Sequence, residues 1–72
     1  MKKLVILGGS GIGMIAASIA NDLGHFEVQG FLNDALEPGS SVGKYKKYPV
    51  LGKTTDLEVY LRQKDTYVFI AY

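Results

Sequence analysis

An uninterrupted apolar run, Leu4-Val5-Ile6-Leu7, leads directly into Gly8-Gly9-Ser10-Gly11-Ile12-Gly13. A run of this length ending in glycine fits a strand buried on both faces, as parallel sheets require. The pattern after the glycines is helical. Ile12, Ile15, Ala16, Ile19, Ala20 and Leu23 fall at i, i+3, i+4, i+7, i+8 and i+11, which is one face of a helix. Gly24 is the expected stop. Strand, glycine turn and helix in that order leave few choices of architecture.

The rest of the chain follows the same alternation. Glu27 to Leu32 reads as a second strand ending at Asn33-Asp34. Residues Ala35 to Lys47 are rich in glycine, serine, proline and lysine and read as a loop. Tyr48-Pro49-Val50-Leu51-Gly52 is a short third strand, with Pro49 placing it at an edge or a strand start. Thr55 and Glu58 have the spacing of a capping box, and Leu57, Tyr60 and Leu61 mark a short second helix. Thr66 to Tyr72 is a fourth strand, β-branched and aromatic. The order β-α-β-β-α-β with right-handed crossovers predicts an α/β fold. Its expected form is a Rossmann-like parallel sheet of about four strands with helices on its faces. The chain ends on its last predicted strand, and a parallel sheet needs both faces covered. The expectation is therefore a truncated unit, or one completed by another chain.

Composition removes several function classes. The chain has 72 residues and no cysteine, so it holds one domain at most and no thiolate metal site. His25 is the sole histidine, and a zinc site built on it is not expected. Eight basic against seven acidic residues are too balanced for a dedicated nucleic-acid binder. Lys44, Lys46 and Lys47 alternate with Tyr45 and Tyr48, which reads as a solvated loop. Lys2 and Lys3 before the apolar stretch imitate a secretory leader, with Ser18-Ile19-Ala20 as its cleavage site. The glycines between Gly8 and Gly13 argue against that, since they would break its helix. Asn21-Asp22 end the run short of a membrane span. No membrane or nucleic-acid partner is expected, and the setting is expected to be cytoplasmic.

The chemistry lies in the glycine turn. At the start of a helix several backbone N–H groups have no partner, and the helix dipole adds about half a positive charge. Glycines let a phosphate approach that backbone closely. Dipole attraction contributes roughly 1–2 kcal/mol, whereas micromolar binding needs about 8 kcal/mol. Other contacts must therefore supply most of the affinity. Asn33 and Asp34 stand where an acid at the end of the second strand hydrogen-bonds a ribose hydroxyl, Asp34 being the better candidate. The loop does not match glycine at i, i+2 and i+5 in either frame. Ser10 reads as a phosphate donor and not a nucleophile, because no base accompanies it and the G-x-S-x-G frame is absent. No catalytic constellation is visible. Tyr60, Tyr67 and Phe69 read as core or sheet-face residues.

Taken together, Gly8 to Gly13, Gly30-Phe31-Leu32-Asn33-Asp34, Tyr48-Pro49-Val50-Leu51-Gly52 and Val68-Phe69-Ile70-Ala71 resemble the N-terminal domain of bacterial sugar acyltransferases of the PglD/NeuD kind. The resemblance covers essentially the whole chain. It implies a Rossmann-like domain that holds a nucleotide-sugar, typically a UDP-linked amino sugar. Gly8, Gly9, Ser10, Gly11, Ile12 and Gly13 would lie at its phosphates, with Asn33 and Asp34 near the ribose or base. It also implies a separate left-handed β-helix of hexapeptide repeats that binds acetyl-CoA, forms trimers and carries the catalytic histidine. This chain has no such repeats, so acetyl transfer is expected of the parent and not of the fragment. Ile12 stands where the family often has histidine or an aromatic residue, and Asn33 replaces the first of two frequent acids. Two other readings remain open. Gly9-Ser10-Gly11-Ile12-Gly13 also resembles the loop of NAD(P)-dependent oxidoreductases and epimerases, although Tyr60 and Lys64 make no convincing Tyr-x-x-x-Lys pair. A non-enzymatic domain sensing a nucleotide or CoA is the other.

Overall fold

The computed structural model describes residues 2–8, 10–43 and 47–71, without the side chains of Ser10, Ile12 and Met14. Strand β1 (Lys2–Gly8) leads into helix α1 (Ser10–Leu23), and strand β2 (Phe26–Leu32) follows. A two-residue strand β3 (Ser41–Val42) precedes β4 (Tyr48–Gly52). A 3-10 turn (Thr54–Asp56), helix α2 (Leu57–Leu61) and strand β5 (Thr66–Ala71) complete the order. The sheet runs β3-β4-β2-β1-β5. β1 pairs in parallel with β2 and β5, β2 pairs in parallel with β4, and β3 pairs antiparallel with β4. This is a Rossmann-like α/β sheet.

The apolar run of β1 is explained by its place at the centre. Leu4 and Ile6 point to one face, where they join Ala17, Ala20, Phe31, Tyr48 and Val50. Val5 and Leu7 point to the other, where they meet Leu32, Leu57, Tyr60 and Val68. Alternation along a strand thus feeds two cores, one under α1 and one under α2. Tyr48 reaches across the first core, and its hydroxyl accepts a hydrogen bond from the Asn21 side chain on α1. Asn21 and Tyr48 thereby satisfy each other where the helix meets β4.

The structure refines four sequence expectations. The Rossmann-like sheet expected with about four strands has five, the added one being the two-residue β3. The loop from Ala35 to Lys47 contains β3, because Ser41 and Val42 find partners in Pro49 and Tyr48. Lys44, Tyr45 and Lys46 lie outside the described residues, as does Tyr72 at the end of the last predicted strand. The capping box is displaced. Asp56, not Glu58, reaches back, its carboxylate accepting the Lys53 N–H at 3.0 Å. Glu58 instead pairs with Arg62 on the exposed side of α2, a contact worth about 0.3–0.5 kcal/mol. Tyr67 and Phe69 are sheet-face residues but exposed, because β5 is an edge strand. Tyr67 meets the ring of Phe26 edge-on.

The fourth concerns α1. Its apolar stripe does not face the sheet as a whole. Ala20 is buried, but Ile15, Ile19 and Leu23 are 54 to 62% exposed. The helix rests on the sheet through Gly13, Ala17 and Ala20. A Cβ on Gly13 would lie 2.7 Å from Phe31 Cε2 and 3.2 Å from Ile6 Cγ2, so the helix axis sits as close as a bare backbone permits. Small residues at i, i+4 and i+7 set the approach, and the larger side chains flank it. Gly24 ends the helix with φ +72°, as the sequence indicates.

An asymmetry in tolerance follows. Ile19→Lys is expected to change the folding free energy by less than about 1 kcal/mol, as for an exposed position. Ala17→Leu is expected to cost about 2–3 kcal/mol, because three more carbons must enter a closed contact. Urea midpoints of the two variants check this, and a larger loss for Ile19→Lys would show that the stripe faces the core.

Candidate nucleotide site

The chain leaves β1 for β2 on one side and, after β4, returns through α2 to place β5 on the other side of β1. The strand order reverses at β1. Ligands of open α/β sheets bind at such a point, outside the carboxyl ends of the strands. The glycine turn that ends β1 and opens α1 occupies this position.

The glycines divide the work. Gly8 has φ +130°, and a Cβ there would meet the Ala71 carbonyl oxygen of β5 at 2.5 Å. It permits β1 and β5 to close together at their ends. Gly13 permits the close seating of α1. A Cβ on Gly11 would meet nothing within 4 Å, so this residue opens onto free space at the start of the helix. Gly9 and the side chains of Ser10 and Ile12 lie outside the described residues. The first turn of α1 carries no acidic residue, so no carboxylate of its own occupies the positive end of the helix.

Asn33 and Asp34 follow β2 and turn to different partners. The Asn33 side-chain amide donates to the Gly8 carbonyl at 2.9 Å, and its Oδ1 accepts the Ala35 N–H at 2.7 Å. The Asn33 N–H donates to the Gly52 carbonyl at the end of β4. Asn33 therefore ties the glycine turn to the loop after β2. The Asp34 carboxylate instead receives the Thr54 N–H at 2.9 Å and the Thr54 hydroxyl at 2.7 Å. Lys53 completes a clamp in the other direction, its ammonium donating to the Asp34 and Leu36 carbonyls at 3.0 and 3.1 Å. Of the two residues singled out in the sequence, Asn33 is the one in contact with the glycine turn.

Lys53, Thr54 and Asp56 were not anticipated. For Asp56 a local signal existed, an acid three residues after Lys53. For Thr54 there was none, since its partner is 20 residues away. Among the described residues no three His, Asp or Glu side chains are grouped to hold a metal. No helix among them is long and apolar enough to cross a membrane.

Thr54 lowers the Asp34 pKa through its backbone N–H first and its hydroxyl second, with Lys53 adding to the effect. The sign is that of a depressed carboxylate. The clamp contributes stability above the unfolded-state value of about 4 and loses it as pH falls through the lower folded-state value. A carbon-13 titration of the Asp34 carboxyl should give a midpoint below the ordinary aspartate value, moving upward in Thr54→Val. An ordinary midpoint in both proteins would mean the clamp does not hold in solution.

A family model described as the PglD N-terminal domain matches residues 3–72. No curated protein and no solved structure matches the chain.

Proposed function

The chain belongs to the PglD N-terminal domain family, and from that membership we propose that it is the nucleotide-sugar-binding module of an acetyl-CoA-dependent sugar N- or O-acetyltransferase. A UDP-linked amino sugar is the ligand class. The observation that carries this reading is the meeting of Asn33 with the glycine turn at the strand-order reversal, beside a helix start free of acidic side chains. A diphosphate would take the amides around Gly11, while Gly8 and Gly13 keep backbone and sheet close enough to shape the turn. Asn33 and Asp34 would form the rim on the nucleoside side. Gly9, Ser10 and Ile12 belong to the same proposed turn.

The module has no acyl-transfer chemistry of its own in this reading. An acyl-CoA site and a base aligned with the acceptor are needed for transfer. A hexapeptide-repeat β-helix of the parent would supply both, bind acetyl-CoA and form the trimer, in the cytoplasm of a bacterium. Calorimetry with UDP, a UDP-amino sugar, NAD and CoA tests the assignment. Saturable binding of the uridine ligands, with NAD and CoA at least tenfold weaker, is the expected result. Preference for NAD would favour the oxidoreductase reading, and preference for CoA the sensing one.

A further inference from the structure

We infer that Asp34 is a positioning residue of the nucleotide site and not a ribose ligand: it acts by clamping Thr54, which fixes the loop that holds Asn33 against the glycine turn. The inference rests on the nucleotide reading above and assigns the two rim residues different tasks.

Three observations carry it. Both Asp34 carboxylate oxygens are already engaged by one residue, Thr54, through its N–H and its hydroxyl. Those two bonds fix the carboxylate on the turn after β4, whereas the glycine turn is met by Asn33. Next, Asn33 and Asp34 follow β2 consecutively, and their side chains take different partners. With Asn33 on the Gly8 carbonyl, Asp34 serves the turn after β4. Last, the hydrogen bonds form one continuous path. Asp56 holds the Lys53 N–H, Lys53 holds the Asp34 and Leu36 carbonyls, and Asp34 holds Thr54. Asn33 then holds Ala35 and Gly8. The Lys53 and Thr54 links join the loop after β2 to the turn after β4, the Asn33–Gly8 link joins it to the end of β1, and the Asp56–Lys53 and Asn33–Ala35 links brace the turn and the loop internally. The Lys53 ammonium also interacts favourably with this carboxylate, which offsets part of its repulsion of a diphosphate.

The test uses calorimetry of the 72-residue protein with UDP, 2′-deoxy-UDP and 3′-deoxy-UDP. Asp34→Ala is expected to weaken all three by the same factor, roughly fivefold. Thr54→Val is expected to weaken them in the same direction by a smaller factor, since the backbone N–H remains. The double variant should be no worse than Asp34→Ala alone, as for two residues acting in one path. Asp34→Asn, whose carbonyl can still accept from Thr54, should restore binding to within about twofold. Thr54→Val removes a single hydroxyl contact, so it keeps the test readable even if Asp34→Ala is poorly folded. Selective loss of the ribose preference in Asp34→Ala, with Thr54→Val silent, would overturn the inference and leave the nucleotide reading intact. Failure of the unsubstituted protein to bind UDP would overturn both.

Discussion

Replacing Gly8 with alanine is expected to destabilise the domain by about 2–4 kcal/mol and to abolish nucleotide binding. Two costs combine. At φ +130° an L-residue is strained by about 1–3 kcal/mol. The added Cβ would also lie 2.5 Å from the Ala71 carbonyl oxygen. That oxygen is backbone, held in the β1–β5 pairing, so it cannot rotate aside. The strands must part at their carboxyl ends, and the Gly8 carbonyl that receives Asn33 moves with them. A domain of this size has a total stability of about 4–11 kcal/mol, so the loss is a large share of the whole. Urea denaturation followed by circular dichroism measures the first effect and UDP calorimetry the second. Gly11→Ala is the control. Its Cβ enters open space, and alanine is the better helix former by about 1 kcal/mol, so the fold should gain slightly. Equal behaviour of the two variants would show that Gly8 is not constrained by β5.

Phe31→Ala is expected to cost about 3–5 kcal/mol, the usual range for a fully buried aromatic. Phe31 is 1% exposed. Its ring lies 6.0 Å from that of Tyr48 and directly beneath Gly13 of α1. Removing it empties the space between helix and sheet, and the helix cannot settle because Ala17 and Ala20 are already in contact. In a domain of marginal stability the variant should be largely unfolded at moderate temperature. Phe69→Ala offers the comparison, since Phe69 is 41% exposed on edge strand β5 and should cost about 1 kcal/mol. A small loss for Phe31→Ala would place the core elsewhere.

Much of this architecture was legible in the sequence because the signals are local. The Leu4–Leu7 run announces a central strand, the glycines mark the turn, and Gly24 marks the helix end. What the sequence concealed depends on partners distant in the chain. β3 is two residues in a polar loop and exists only because Tyr48 and Pro49 lie opposite it. In α1 the 3.6-residue period identified the helix but could not choose its buried side. Gly13, Ala17 and Ala20 form a stripe too, and they win because small residues let the axis approach the sheet. Thr55 and Glu58 had correct capping spacing, yet the turn starts earlier, where Asp56 reaches Lys53.

The candidate site divides along the same line. Glycine turn and acid were visible as neighbours of strand ends. Which of Asn33 and Asp34 would meet the turn was not, since it depends on Thr54, in the 3-10 turn after β4, claiming the carboxylate. A ribose contact was read for Asp34 from its position alone; its hold on Thr54 was not legible there.

The most direct measurement is an amide-by-amide NMR titration of the isotopically labelled chain with UDP. The account predicts saturable shifts at Gly8, Gly11, Gly13 and Asn33, with Lys3, Glu27 and Thr66 at the opposite strand ends unmoved. Shifts confined to those opposite ends, or to the exposed face around Ile15, Ile19 and Phe69, would contradict it.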